Sequence, residues 1–461
     1  MCPTFLHIPE TFCGIPVFGM GLALGVWLVL TGLWIVRTIR GRRWCSADTG
    51  NLVLMLVIAF VLWKVLPFIS EPGKGVPIRG YGTMVLTGVC AGGWLSIVRA
   101  GKKNIPAQTL LDFLLWGLFP GILGGRLWHV VQYWPHFRKD TVHETLVSVL
   151  NVTGGGLVMY GALIGALTGW TFFAIRRKLP LLRMLDIVAP AMLLGLAFGR
   201  IGCFMFGCCF GGTCDLPWAV RFPAGAPAWN EQIANGQIPV HGITLSARDP
   251  ELEQVYIDSV APESAAESAG VRPGMRLIAC DGYQGNLREM IGRLLYIPAG
   301  GEVQIVVEPD AGSDAAPEST PEFTPESVTE PTPESMTGLT PGRTTQRVTL
   351  TWKAGPIPSR SLPVHPTQLY QAIDALILCL FVLALTPLCR RDGMQLAATL
   401  TLYPISRFLL EMIRVDEKGQ FGTSLSIGQW TSIVIFLAAM GLWFFIAHAG
   451  NREEKPGDTE R

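Results

Sequence analysis

The sequence predicts an all-α polytopic membrane protein of about nine transmembrane helices, interrupted late in the chain by a small α+β extracytoplasmic domain. Three observations carry this reading. Hydrophobic residues make up 49% of the 461 positions and charged residues 15%, far from soluble proportions. Apolar runs of about 18 residues or more recur, each long enough to cross roughly 30 Å of hydrocarbon. From about Ile243 the pattern changes to short alternating apolar runs with many acids, which is the signature of a folded domain outside the lipid.

The apolar runs occupy 15–36, 51–70, 81–98, 108–131, 154–175, 184–206, 367–388, 394–413 and 427–448. The opening "MCPTFLHIPETF" has no basic n-region before the first run, so that run is expected to stay as a span rather than be cleaved. Basic loops are retained in the cytoplasm, and "RTIRGRR" (37–43), "RAGKK" (99–103), "RRK" (176–178) and "CRR" (389–391) each follow an odd-numbered span. The N-terminus therefore faces outward and the tail 451–461 inward. The segment from Cys214 to about His365 lies outside. A net charge of +1 and the lack of a basic face exclude nucleic acid as an expected partner.

Residues 1–76 read as an extra N-terminal region of two spans, 77–242 and 359–450 as the two parts of a membrane core, and 243–358 as the insert. The insert resembles a PDZ domain. "VYIDSVAPESAAESAGVRPGMRLIACDGY" has the strand, the small-residue helix closed by Gly270, the turn and the next strand in that order, followed by the helical "NLREMIGRLL" and the alternating "GEVQIVV" and "QRVTLTW". A peptide ligand is what this likeness implies. The loop 309–345 contains a Pro, Glu and Thr repeat at 317–335, too poor in apolar surface to order, and is expected to be disordered. "IPVFGMGLALGVWL" echoes "PIRGYGTMVLTGVCAGGWL"; a degenerate repeat and two unrelated glycine-rich spans both fit.

Charges inside hydrocarbon are costly and face protein or water, so they mark candidate sites. Arg126, Arg200, Arg407 and Glu411 stand within apolar runs, and Arg407 and Glu411 share a helical face at i,i+4 with Arg414 continuing it. Guanidinium groups from three segments suit an anionic head group, which they bind bidentately. Snorkelling to the interface is the alternative for each; it fits Arg414 best and Arg200, flanked by Gly199 and Gly202, least. His129 and His365 are either bases or hydrogen-bonded structural groups. Tyr81, Tyr160 and Tyr403 are ordinarily packing or interface aromatics.

Six stretches in order resemble the bacterial prolipoprotein diacylglyceryl transferase family: "YGTMVLTG", "GGRLWHVVQYWPHF", "GGGLVMYGALIGA", "FGRIGCFMFGCCFGG" with "DLPWAVRFP", "LPVHPTQLYQ", and "YPISRFLLEMIR" leading to "SLSIGQW". The resemblance implies transfer of the diacylglyceryl group of phosphatidylglycerol to the lipobox cysteine of a preprolipoprotein, in a bacterial inner membrane, with the site and the PDZ-like insert towards the periplasm. It implies Arg200 and Arg407 as phosphate-binding arginines, Glu411 as the group orienting Arg407, and functional roles for Tyr81, Tyr403, Arg126 and Gly211. His365 joins the substrate-binding set, and Tyr160 and His129 the catalytic one.

The chain departs from the family pattern at several of these positions. Tyr160 stands where much of the family has a histidine, and His129 where a tyrosine is usual. Cys203, Phe206 and Cys208 replace Asn, Asn and Glu in the "GRxGNFxNGExxG" motif. A non-enzymatic lipid- or lipoprotein-binding protein on the same scaffold is the competing reading; retention of Arg200, Arg407, Glu411 and Tyr81 argues against it. A thiol-redox enzyme built on Cys203, Cys208, Cys209 and Cys214 lacks a C-x-x-C pair. No cofactor and no metal are expected, because the spacing C-x4-C-C-x4-C is not that of a usual structural zinc site.

Overall fold

The computed structural model describes residues 4–12, 14–41, 46–139, 141–150, 156, 158–249, 254–308, 347–414 and 422–453. The expected disordered loop 309–345 and most of the tail 451–461 lie outside these. The chain divides into two units, Met1–Gly212 with Pro366–Arg461, and Thr213–His365.

The first unit is mostly helical. Its N-terminal stretch departs from an all-α pattern: β1 (Thr4–Ile8) pairs antiparallel with β2 (Val76–Arg79), which runs directly into the helix that starts at Gly80. Among the described residues six helices are long and apolar enough to cross a membrane. They are α1 (Leu22–Gly41), Gly80–Lys102, Ala107–Gln132, Leu181–Phe206, Thr367–Ala384 and Ile427–His448. The chain is therefore a multi-pass membrane protein.

The other three apolar runs also fall on helices. The first is α2 (Ser46–Phe60), prolonged by a π-helical turn at Val61–Val65 and a last turn at Leu66–Ile69. The second is Met159–Arg177 and the third Met394–Glu411, whose Gln395, Arg407 and Glu411 lower its hydropathy. In chain order the core helices are α3 (Gly80–Lys102), α4 (Ala107–Gln132), α5 (Val142–Leu150), α6 (Met159–Arg177) and α7 (Leu181–Phe206).

Helices α3 and α7 pack along each other, as do α4 and α6. The α4–α6 crossing is close because glycines face each other. A Cβ on Gly161 would overlap the Gly124 carbonyl and the Trp128 side chain, so a larger residue there would push the helices apart.

The second unit is α+β. It begins before the change of pattern at Ile243, because α8 (Pro227–Ala234) sends Trp229 and Ile233 into the same core as the sheet. The sheet is an antiparallel meander of β3 (Ile243–Asp249), β4 (Gln254–Val260), β5 (Arg276–Cys280), β6 (Glu302–Glu308) and β7 (Val348–Lys353), adjacent strands pairing in sequence order. In β6, Val303, Ile305 and Val307 are buried, as the alternation in "GEVQIVV" requires. Helix α9 (Leu287–Tyr296) starts with a reciprocal capping box between Asn286 and Glu289.

The chain then returns to the first unit through α10 (Thr367–Ala384), α11 (Met394–Glu411) and α12 (Ile427–Glu453). α10 packs on α7, and α11 on α12. A buried polar network fixes the start of α11. Asp186 of α7, 1% exposed, accepts from the backbone N–H groups of Gly393 (2.7 Å) and Leu396 (2.8 Å), satisfying donors that a helix N-terminus leaves unpaired. Arg99 of α3 donates to the Asp186 and Ile187 carbonyls, both at 3.1 Å, and to Gln395. Three helices are thereby tied at one end of the bundle.

One group in the second unit gives a pH test of its core. Burial pushes the Cys280 thiol up to about 11 from its usual 9.0. The folded state keeps this proton when the unfolded state has lost it, so the contribution is intact below pH 9 and is lost as pH rises towards 11. The melting temperature of this unit should therefore fall more steeply between pH 9 and 11 in the native sequence than in Cys280→Ala. Equal slopes in a calorimetric pH series would contradict it.

Candidate active site

The ends of five core helices that lie opposite the Asp186 network carry most of the sequence-predicted residues. Tyr81 opens α3, Arg126 and His129 lie in the last turns of α4, Tyr160 opens α6, Arg200 is in the last turns of α7, and Arg407 and Glu411 end α11. Alternating helix direction brings these ends together even though the residues span 330 positions between Tyr81 and Glu411.

Glu411 is the centre of the arrangement. It is 4% exposed, ion-paired with Arg407, and 3.3 Å from the Arg414 guanidinium and from the Ser426 hydroxyl, which donates to it. Arg414 and Arg407 are themselves largely buried, with side chains 6% and 13% exposed. The first turn of α12 closes around the carboxylate. Ser426 and Gln429 cap that helix reciprocally, each side chain accepting from the other's backbone N–H, at 3.2 and 3.0 Å. A Cβ at Gly428 would stand 2.8 Å from a Glu411 oxygen and 3.1 Å from Arg407, so glycine is what lets the ion pair dock against the turn.

Arg200 completes the cationic face. It is half-buried, makes no hydrogen bond among the described residues, and lies within electrostatic reach of Arg407, Tyr81, Cys203 and Cys209. Three arginines against one carboxylate leave an excess of positive charge, which suits a phosphate group. Tyr81 packs its ring 6.4 Å from that of Phe206, and its backbone and ring border Gly202, two residues from Arg200. Tyr403 sits one turn before Arg407 and packs on Leu193, Cys379 and Val382.

The turn after α7 is built with care. Gly207 ends the helix with φ +85, and Cys209 follows in the left-handed region at φ +58. The Cys208 carbonyl accepts from Gln368 and the Cys209 carbonyl from Thr367, each at 2.7 Å and from side chains fully buried at the start of α10. Gly211 then bridges to Arg414, with the Gly212 N–H donating to the Ile413 carbonyl at 3.2 Å.

Other predicted residues are engaged elsewhere. Arg126 is 7% exposed and donates to the carbonyls of Ser148 and Val149, both at 2.9 Å, and of Gly156, with Phe137 stacked on its guanidinium. It serves as the cation at the C-terminus of α5. The His129 ring lies against Tyr133 and Phe137 and directly under Gly156. Tyr160 is 2.7 Å from the Thr431 hydroxyl, whose own proton goes to the Ile427 carbonyl, so Tyr160 is the donor in that contact. His365 is the last residue of the second unit and is half-buried.

A sequence model of the prolipoprotein diacylglyceryl transferase family matches residues 67–250 and 326–445, about two thirds of the chain. A phosphatidylglycerol–prolipoprotein diacylglyceryl transferase of Rhodopirellula baltica is 31% identical over 489 aligned positions, covering 98% of this chain and 91% of the relative. The chain belongs to the prolipoprotein diacylglyceryl transferase family. Transferases of the same name from Finegoldia magna (35% identical, 32% of this chain, 57% of the relative) and Pseudoalteromonas atlantica (33%, 40% and 65%) match parts of it.

Sequence reasoning left four residues of this site unmarked: Thr367 and Gln368, which hold the turn after α7, Ser426, which donates to Glu411, and Gly428, which leaves room for the ion pair. The S-x-x-Q of "SLSIGQW" was a readable capping signal. Thr367 and Gln368 stood in "HPTQLYQ", but their carbonyl partners lie 158 and 160 positions away and no periodicity points to them. Thr367→Val keeps the shape and removes the donor to the Cys209 carbonyl, which should cost about 1–3 kcal/mol of stability. An unchanged melting temperature in detergent would show that this hydrogen bond does not hold the turn.

Proposed function

We propose that the chain transfers the diacylglyceryl group of phosphatidylglycerol to the lipobox cysteine thiol of preprolipoproteins, forming a thioether and releasing glycerol phosphate. The observation that carries this is the match to a named transferase over nearly the whole of both chains. The site chemistry supports it. In this reaction a C–S bond forms, the C–O bond to the phosphate breaks with its electron pair leaving on oxygen, and the thiol gives up its proton. The departing phosphate needs cations, and the attacking sulfur must be a thiolate.

Arg200, with no hydrogen bond among the described residues, and Arg407, held by Glu411, are the arginines we assign to the phosphate. Glu411 is a positioning residue, since its oxygens are occupied by Arg407, Arg414 and Ser426. Tyr81 and Tyr403 line the same end, and Gly211 fixes the turn beside Arg414. Arg126 contributes by anchoring the segment around Ser148 and Gly156, and Tyr160 by donating towards α12. His129, also placed at that end, and His365 remain assigned to the reaction and to substrate binding respectively.

Nine spans, an inner-membrane location and a periplasmic site complete the proposal. Its support is that the arginine site lies at one set of helix ends while Arg99, Lys102, Arg177 and Arg391 lie at the other, as basic cytoplasmic ends would. The second unit we read as a PDZ-like domain with a peptide ligand, on the strength of its capped helix and antiparallel sheet.

Complementation of a transferase-depleted bacterium tests the reaction, with lipoprotein modification read by mass spectrometry. Arg200→Ala and Arg407→Ala should each lose transfer by at least tenfold, because a charge-assisted hydrogen bond is worth about 1.5–3 kcal/mol. Near-normal lipidation in either would remove the phosphate assignment. Deleting residues 244–353 and closing the gap with a flexible linker should leave a folded core with measurable transfer, since long insertions outside the membrane are tolerated. Complete loss across several linker lengths would make the second unit part of the site.

A further inference from the structure

We propose that Cys203, Cys208 and Cys209 form a binding site for a soft, thiophilic metal ion. Their sulfur atoms all lie within 4.8 Å of one another, and all three cysteines are free and partly accessible. A Zn–S bond is about 2.3 Å, so three thiolates around one ion sit about 4 Å apart. Small side-chain rotations close the difference.

The convergence is built into the backbone. Cys203 lies in the last turn of α7, and its carbonyl accepts the N–H groups of Gly207 (2.8 Å) and Cys208 (3.2 Å), folding the chain back over it. The left-handed conformation of Cys209 is uncommon for a residue with a side chain and turns its thiol towards the other two. Buried Thr367 and Gln368 then hold the carbonyls of both later cysteines. A turn fixed at both carbonyls presents its sulfurs as a pre-formed set.

The charges fit as well. Three thiolates around a divalent ion carry one net negative charge, and Arg200 and Arg414 lie within electrostatic reach of Cys209. Thiolate donors select ions such as Cu(I), Zn(II) or Cd(II) over hard cations. On binding, each sulfur exchanges its proton for a bond to the metal and the protons pass to solvent, with no change of oxidation state. The four-ligand zinc spacing missing from the sequence does not bear on a three-sulfur site closed by the fold. Metal binding here is independent of the transferase reading.

The test uses the full-length protein in detergent, with a non-thiol reductant and Cd(II) alone as probe. One ion per chain should bind with a thiolate-to-cadmium charge-transfer absorption and a release of protons. Cys203→Ser and Cys209→Ser should each weaken binding by more than about 100-fold, beyond what losing an outer-shell partner costs, whereas Cys90→Ser and Cys379→Ser should leave it unchanged. An alkylation footprint on the native sequence needs no variant: Cd(II) should protect Cys203, Cys208 and Cys209 and leave exposed Cys90 reactive. The proposal is overturned by the absence of the absorption band, by its persistence in the triple serine variant, or by a disulfide joining two of the three in protein isolated without reductant.

Discussion

The buried carboxylate of Glu411 is the interaction on which the site depends. A charge at 4% exposure is sustained only when it is paired and hydrogen-bonded, and here two guanidinium groups and a serine hydroxyl supply this. The pairing has a geometric effect as well as an energetic one. It fixes Arg407 on α11, draws Arg414 against the turn that follows α7, and seats both against the start of α12. Removing Glu411 would leave two buried guanidinium groups facing each other. Arg200 is the complement of this arrangement, since it is held in the same region without being neutralised.

The opposite end of the bundle solves a different problem with similar means. Helix α11 carries Arg407 and Glu411 at its C-terminus, so its position along the bundle has to be set somewhere. Asp186 sets it by capping the N-terminal N–H groups of α11, and Arg99 locks the carbonyls beside Asp186. At 1.5 Å per residue the cap and Arg407 are about 20 Å apart along one continuous helix. A register error at the cap would be carried undiminished to the arginine.

Much of this was legible beforehand, for identifiable reasons. Arg200, Arg407 and Glu411 were visible because charge within an apolar run violates the cost of burial, and the i,i+4 relation of the last two is a property of the helix itself. Alternation gave β6, and a composition change marked the second unit. What stayed hidden was long-range. Arg99 read only as part of the basic loop 99–103 and Asp186 drew no reading, because their role depends on a helix that starts about two hundred positions after Asp186. Helix α8 fell within the range 77–242 read as the core, because its eight residues are too few for Trp229 and Ile233 to announce the sheet they pack against. Arg126 was legible as buried charge, but its carbonyl partners follow from where α5 ends, which no pattern announced.

The two hydrogen bonds from Thr367 and Gln368 also impose an order in time. The turn at Cys208 and Cys209 is synthesised about one hundred and sixty residues before the side chains that secure it, and the whole second unit is made in between. At translation rates of about 5–20 residues per second, the ribosome needs some ten to thirty seconds to cross that interval. During it, the end of α7 is exposed with two backbone carbonyls lacking their eventual donors. The nascent chain thus holds an unsecured turn until α10 arrives, and the arginine end of the bundle is finished only when α11 and the start of α12 follow.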